Sequence, residues 1–391
     1  MQYYIVEIKI NNVRHLNNIT INLGNDKNHL ILTGKNGSGK TSVLEKLHFF
    51  ISNKINNSGN IQNFYNYKDR LDTLDKVQHK ALIDSVNQYI DCVPTFNNEN
   101  IQDCSNFIYA FFDAKRKNET IPPKGINKIE LSKNKTQKLN KNFLQYIVNL
   151  KAEKSFANDD GDKETVRKID SWFKKFEKML QQIFNDNNLK IKFDRKNYNF
   201  TIQRTNRKEF DFNTLSAGYS AVIDIITELI LKIETTETKS FDCEGIVLID
   251  EIENHLHVEL QKNILPFLTT FFPNIQFIIT THSPFVLSSM ANTVVYDLER
   301  KEQLSGKNLI NASYTQIVKN YFEVDSEFSN ILEQDIFRYE VLINKLDKTL
   351  SKEEQKELLE LDMKLDKLAP MLSDVIYLKF KELQDKLIEN D

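Results

Sequence analysis

Three stretches of this chain are apolar without interruption and then end abruptly in polar residues. HLILT at 29–33, GIVLI at 245–249 and QFIIT at 276–280 lack the alternation of a strand with one wet face. Each is therefore expected to be a central parallel strand, buried on both sides. FIYAFF at 107–112 reads as another strand, followed by a basic turn. Helical spacing appears at 42–50, where Val43, Leu44 and Leu47 face inward, and at 221–233. It appears again at 163–184, where Val166, Ile169, Trp172, Phe173, Phe176 and Leu180 form one stripe suited to packing. The segment LKIKFDRKNYNFTIQR reads as a hairpin, and 71–90 as helical within a polar, Asn-rich stretch. Beyond Arg300 the pattern turns helical. Ser351 and Glu354 form a capping box; Leu358, Leu361, Leu365 and Leu368 follow at 3-4-3 spacing; Pro370 ends that helix and a second runs over 372–388.

The first apolar run leads into GKNGSGKT, with Gly34 and Gly39 at the ends of GxxxxGK[ST]. Glycines let the backbone turn tightly and approach a phosphate without a Cβ. The N–H groups of Asn36, Gly37, Ser38 and Gly39 and the N-terminus of the following helix, with Ser42, then face the anion. Lys40 is placed to reach the β- and γ-phosphates, and Thr41 to ligate Mg²⁺. The second run ends in Asp250 and Glu251. Carboxylates there fall at the crevice where open α/β sheets bind ligands. Asp250 suits Mg²⁺, and Glu251 suits a general base acting on water. The adjacent glutamate favours hydrolysis over kinase or GTPase chemistry. The third run ends in Thr280, Thr281 and His282, a histidine that can meet a γ-phosphate. LSAGYS places Ser216 and Gly218 at the start of the helical stretch 221–233, a second anion site by its N–H groups.

GKNGSGKT, LSAGYS, VLIDEIENHLH and TTHSPF occur in that order. They resemble the Walker A, signature, Walker B with D-loop, and switch-histidine motifs of ABC-type ATPases. ENHLH after the acids and THSP at the last strand are similar to the RecF/SMC/OLD branch rather than to transporters. The resemblance covers residues 1 to about 300. It implies an α/β P-loop NTPase of the ABC type, with an ABC-type head at 1–50 and 205–300. An α-rich insertion occupies 51–204, with part of the head sheet near 107–113, and a helical interaction region follows at 301–391. It implies ATP and Mg²⁺ as ligands and a homodimer of heads around ATP. Ser216 and Gly218 would act on the partner's nucleotide, His282 would sense the γ-phosphate, and His257 would lie in the D-loop. Arg116 is the candidate in place of a glutamine-loop residue.

OLD-type proteins carry a TOPRIM nuclease after the head. Residues 300–391 contain no D-x-D and little strand pattern, so no nuclease is expected in this chain. The resemblance then extends to stand-alone ATPases of anti-phage systems such as Septu and retron-linked modules, in which a separate effector protein, such as a nuclease, carries the toxic activity. A RecF-like DNA-repair ATPase and a transporter ATPase are the alternatives.

Composition adjusts this picture in three places. Net charge is −3, so any nucleic-acid contact must be local. Residues 115–141 carry nine Lys/Arg against two acids, and 190–209 carry seven against two, with Tyr198 and Phe200 interleaved as stacking candidates. Cys92, Cys104 and Cys243 fit neither a disulfide framework nor a zinc spacing, which favours a reducing cytosol. The N-terminus matches no signal peptide. No apolar run approaches the roughly 18 residues of a membrane helix.

Overall fold

The structure, a computed structural model, describes residues 3–56, 91–98, 105–116, 120–322, 330–345, 350–369 and 374–389. The helical reading of 71–90 lies outside them. The chain divides into two compact units, Met1–Ile317 and Val318–Asp391.

The first unit opens with β1 (Ile5–Val13), β2 (Leu16–Asn22), β3 (His29–Thr33), α1 (Lys40–Asn56), β4 (Cys92–Phe96) and β5 (Phe107–Phe112). There follow α2 (Phe143–Asp159), α3 (Lys163–Ile183), β6 (Lys190–Asp194), β7 (Asn199–Gln203), β8 (Phe210–Asp211) and α4 (Ala217–Glu234). It closes with β9 (Glu244–Ile249), α5 (Val258–Phe271), β10 (Ile275–Thr280), α6 (Pro284–Leu287), β11 (Thr293–Asp297) and β12 (Glu302–Ser305).

The main sheet has the order β12-β11-β3-β10-β9-β5. It is parallel except for β12, which runs antiparallel to β11. The uninterrupted apolar runs are its centre, as expected: every residue of β3 and β10 is buried. The phosphate-loop strand and the acidic strand are not neighbours, because β10 lies between them.

A second, antiparallel sheet, β2-β1-β4, shows the alternation of a half-buried strand. Its Ile5, Ile8 and Ile10 share one core with Leu44 and Leu47 of α1. Buried Gln276 joins the sheets, since its amide donates to the carbonyls of Ile5 (3.0 Å) and Asn28 (2.8 Å) and accepts from Ile5 N–H (2.8 Å).

Within the expected insertion, α2, α3 and the β6-β7-β8 sheet share an aromatic core. Phe143 meets Phe176 at 5.3 Å and Phe212 at 6.2 Å, and Phe173 stacks on Phe200 at 6.0 Å. This corrects one expectation. Phe200 is fully buried and has no face left for a base.

The basic segment preceding α2 is fastened to α4. Buried Glu228 accepts from the N–H groups of Leu139 (2.6 Å) and Asn140 (2.8 Å). Buried Lys232 donates to the carbonyls of Lys135 (2.6 Å) and Gln137 (2.9 Å). Asn140 also donates to Asp224. Past Arg300, β12 falls where helix was expected. Four residues are too few to show a period, and Gln303 secures the strand by bonding both N–H and C=O of Asn22.

Among its described residues the second unit holds the helices Asn330–Ile343, Lys352–Leu368 and Asp374–Glu389, after the end of a helix that spans Tyr314–Phe322. The Ser351–Glu354 capping box forms in both directions. Leu358, Leu361 and Leu365 are buried, but against Tyr339, Leu342, Phe380 and Leu383 of the same unit. Within the expected helical interaction region, the leucine stripe is therefore an internal core rather than a surface for a partner. Among the described residues, no helix is long and apolar enough to cross a membrane.

Candidate nucleotide site

β3 delivers the chain into the glycine loop at buried Gly34, and α1 begins at Lys40. Gly39 has φ +98°, and a Cβ there would lie 2.9 Å from Leu16 Cδ1, so both conformation and space require glycine. Lys35, Asn36 and Gly37 form the exposed tip, while Ser38, Lys40 and Ser42 are buried. The Lys40 ammonium folds over its own loop and donates to the carbonyls of Gly34 (2.8 Å) and Lys35 (3.0 Å). Burial lowers its pKa, opposed by the carboxylates of Glu251, Glu253, Asp250 and Asp297.

Thr41 is exposed, and its hydroxyl donates to Asp250 Oδ2 at 3.0 Å. Asp250, at the end of β9, is buried and also accepts from the Thr280 hydroxyl at 2.6 Å. Thr280 in turn accepts the N–H of Glu251 at 2.7 Å. The intervening β10 thus ties the two motif strands together through one threonine.

Glu251 is half-buried and sits at φ +45°. A left-handed backbone costs a non-glycine residue about 1–2 kcal/mol. Buried Arg116 offsets it, donating to the carbonyls of Asp250 (2.5 Å), Glu251 (2.7 Å) and Ile252 (3.3 Å). The guanidinium considered for a glutamine-loop role is committed to the backbone behind the acids.

His282 follows β10. Burial lowers its pKa and the nearby Lys40 charge lowers it further, opposed by the carboxylates of Glu253, Glu251 and Asp250. Its N–H donates to Glu253 Oε1 at 2.5 Å, while the Thr281 hydroxyl donates to Glu253 Oε2 at 2.7 Å. Lys40, Thr41, Asp250, Glu251 and His282 are thus brought together.

Ser216 and Gly218 lie elsewhere. Ser216 is the exposed N-cap of α4, and its hydroxyl makes no capping bond. A Cβ on Gly218 would sit 2.6 Å from the His255 carbonyl, so the helix start is pressed against the turn after the acids. Ser216, Gly218, Tyr219, Arg207, His255 and His257 line a cleft of about 940 Å³ that no phosphate-loop residue borders. Reasoning from the sequence passed over Glu253 and the roles of Thr280 and Thr281, although all three stand inside the motifs.

A P-loop on β3, two acids on a non-adjacent strand, a histidine on the strand between and a separate Ser-x-Gly helix cap decide the architecture. The fold is that of an ABC-type P-loop ATPase.

A family model described as "AAA domain, putative AbiEii toxin, Type IV TA system" matches residues 124–288. The chain is 36% identical over 114 residues to the "Retron Ec83 probable ATPase" of Escherichia coli, covering 28% of this chain and 21% of that protein. It is 40% identical over 89 residues to "Septu protein PtuA" of Bacillus mycoides, covering 23% of this chain and 12% of that protein. "Septu protein PtuA" of Bacillus thuringiensis aligns at 25% identity over 388 residues, 93% of each. An SMC head domain from Thermotoga maritima superposes with a TM-score of 0.36 at 10% identity, over 76% of this chain and 94% of that one. The chain thus resembles a retron ATPase and Septu PtuA proteins.

Proposed function

We propose that the protein is an ATP-hydrolysing switch of bacterial anti-phage defence. Two heads close around ATP, and their state is passed to a separate effector protein. The observation that carries this reading is the Thr41–Asp250–Thr280 network, with Glu251 held beside it. Thr41 and Asp250 are hard oxygen donors that fit Mg²⁺, which when bound neutralises phosphate charge. Lys40 exchanges its loop carbonyls for the β- and γ-phosphates. Water attacks the γ-phosphorus, its proton passes to Glu251, and the bridging oxygen leaves with ADP. His282 donates to a γ-phosphate oxygen. Exposed Ser216 and half-buried Gly218, away from their own phosphate loop, support action on a partner's nucleotide. The Septu and retron resemblance supports the defence role, and the basic segments 115–141 and 190–209 are a secondary surface for nucleic acid.

The test is Glu251→Gln. It should bind ATP, turn over at least ~100-fold more slowly, as loss of a general base typically does, and accumulate as a dimer by light scattering. Wild-type turnover in this variant would overturn the mechanism.

A further inference from the structure

Glu253 takes no part in the chemistry above, yet both of its carboxylate oxygens are engaged beside it. One oxygen accepts the backbone N–H of His282 at 2.5 Å and the other the hydroxyl of Thr281 at 2.7 Å. Thr281 is itself fully buried and accepts the N–H of Ser283 at 3.0 Å. Glu253 therefore grips both sides of the peptide that carries the histidine. It belongs at the same time to the turn after Asp250. Its carbonyl accepts from Leu256 N–H at 2.8 Å, and the neighbouring Asn254 side chain donates to the Ala114 carbonyl at 2.9 Å. That turn ends at His255, at φ +65°, whose carbonyl is the atom pressed against Gly218.

We propose that Glu253 is the positioning residue for His282, holding it at the γ-phosphate and joining it to the turn that abuts the signature helix. This rests on the hydrolytic reading of the site. A carboxylate with one oxygen on each of two adjacent residues fixes the direction of the peptide between them, and misplacement of a reacting group by 1 Å costs about 100-fold.

The experiment compares Glu253→Ala, Glu253→Gln and Thr281→Val, each alone and in a His282→Gln background, in the full chain. Glu253→Ala should lower kcat on the order of 10–100-fold, with affinity for a fluorescent ATP analogue changed less than ~3-fold. Glu253→Gln keeps an acceptor for the N–H and should recover most of the rate. In the His282→Gln background Glu253→Ala should cost almost nothing more, because both act through one imidazole. Equal losses in the two backgrounds would overturn the proposal. If Glu253→Ala does not fold, Thr281→Val, which removes the hydroxyl that donates to Glu253, carries the same comparison. Wild-type turnover in Glu253→Ala overturns the positioning role alone if Glu251→Gln is inactive. Should Glu251→Gln also be active, the hydrolytic reading fails first.

Discussion

The two helices that begin at the anion-binding motifs are built oppositely. At the start of α1, Lys40 and Thr41 have partners from the same chain: Lys40 holds two loop carbonyls and Thr41 holds Asp250. At the start of α4, the Ser216 hydroxyl is exposed and caps nothing. An N-cap serine normally accepts from the second or third helical N–H, which contributes about 1 kcal/mol. One helix start is closed on itself, and in the proposed switch it is the one that exchanges these bonds for a nucleotide's. The other presents an exposed hydroxyl that caps nothing in its own helix. Identical chemistry, a helix N-terminus beside glycine, thus serves different purposes according to what already satisfies it.

The comparison breaks most visibly at Ser216. Ser216→Arg should leave ATP affinity intact while turnover falls more than ~100-fold, the scale for losing a preorganised donor at a reacting oxyanion. Titration with a fluorescent nucleotide beside a phosphate-release assay separates the two. Mixed with Lys40→Ala protomers it should regain activity, since one lesion pair shares a site and the other site stays whole. Absence of recovery in verified mixed dimers would refute action across an interface.

Lys40→Ala should show the converse, with affinity lower by about 10–150-fold, the equivalent of a charged hydrogen bond of 1.5–3 kcal/mol. Unchanged affinity would mean that the lysine never leaves its loop.

Smaller effects sharpen the comparison further along α4. Burial pushes the Asp224 carboxyl up to about 6, eased by Lys138 and by the amide of Asn140. A raised carboxylate pKa gives stability that is present below the ordinary value near 4 and lost as pH rises through about 6. Asp224→Asn should escape that loss. From pH 4 to pH 7 it should gain up to about 3 kcal/mol relative to wild type, reckoned as roughly two pH units at 1.36 kcal/mol each. Urea unfolding at the two pH values measures it, and parallel behaviour of both proteins would refute it.

Gly218→Ala should cost about 1–3 kcal/mol by overpacking against the His255 carbonyl, read as a shift in the unfolding midpoint. No shift would show that the turn yields freely.

What was legible in the sequence was local. Gly34, Gly39 and Lys40 declare themselves by spacing, and the acids by the apolar run before them. Glu253 and Thr280 act through partners 28 to 30 residues distant, across a strand order in which β10 enters between β3 and β9. No periodicity announces that insertion. The leucines at 358, 361 and 365 show which face of their helix is buried, but not that Tyr339 and Phe380 cover it. Alternation around Phe200 likewise leaves open which side of the hairpin meets the aromatic core.

Every residue of α4 from Ala221 to Ile233 is buried. Such a helix has no solvent side on which to roll and behaves as a stiff rod. Its 18 residues span about 27 Å. Ser216 sits at one end of that rod, and the Glu228 and Lys232 anchors to the basic segment sit toward the other. A push felt at Ser216 is therefore carried along the rod toward the segment 135–140 that Glu228 and Lys232 hold.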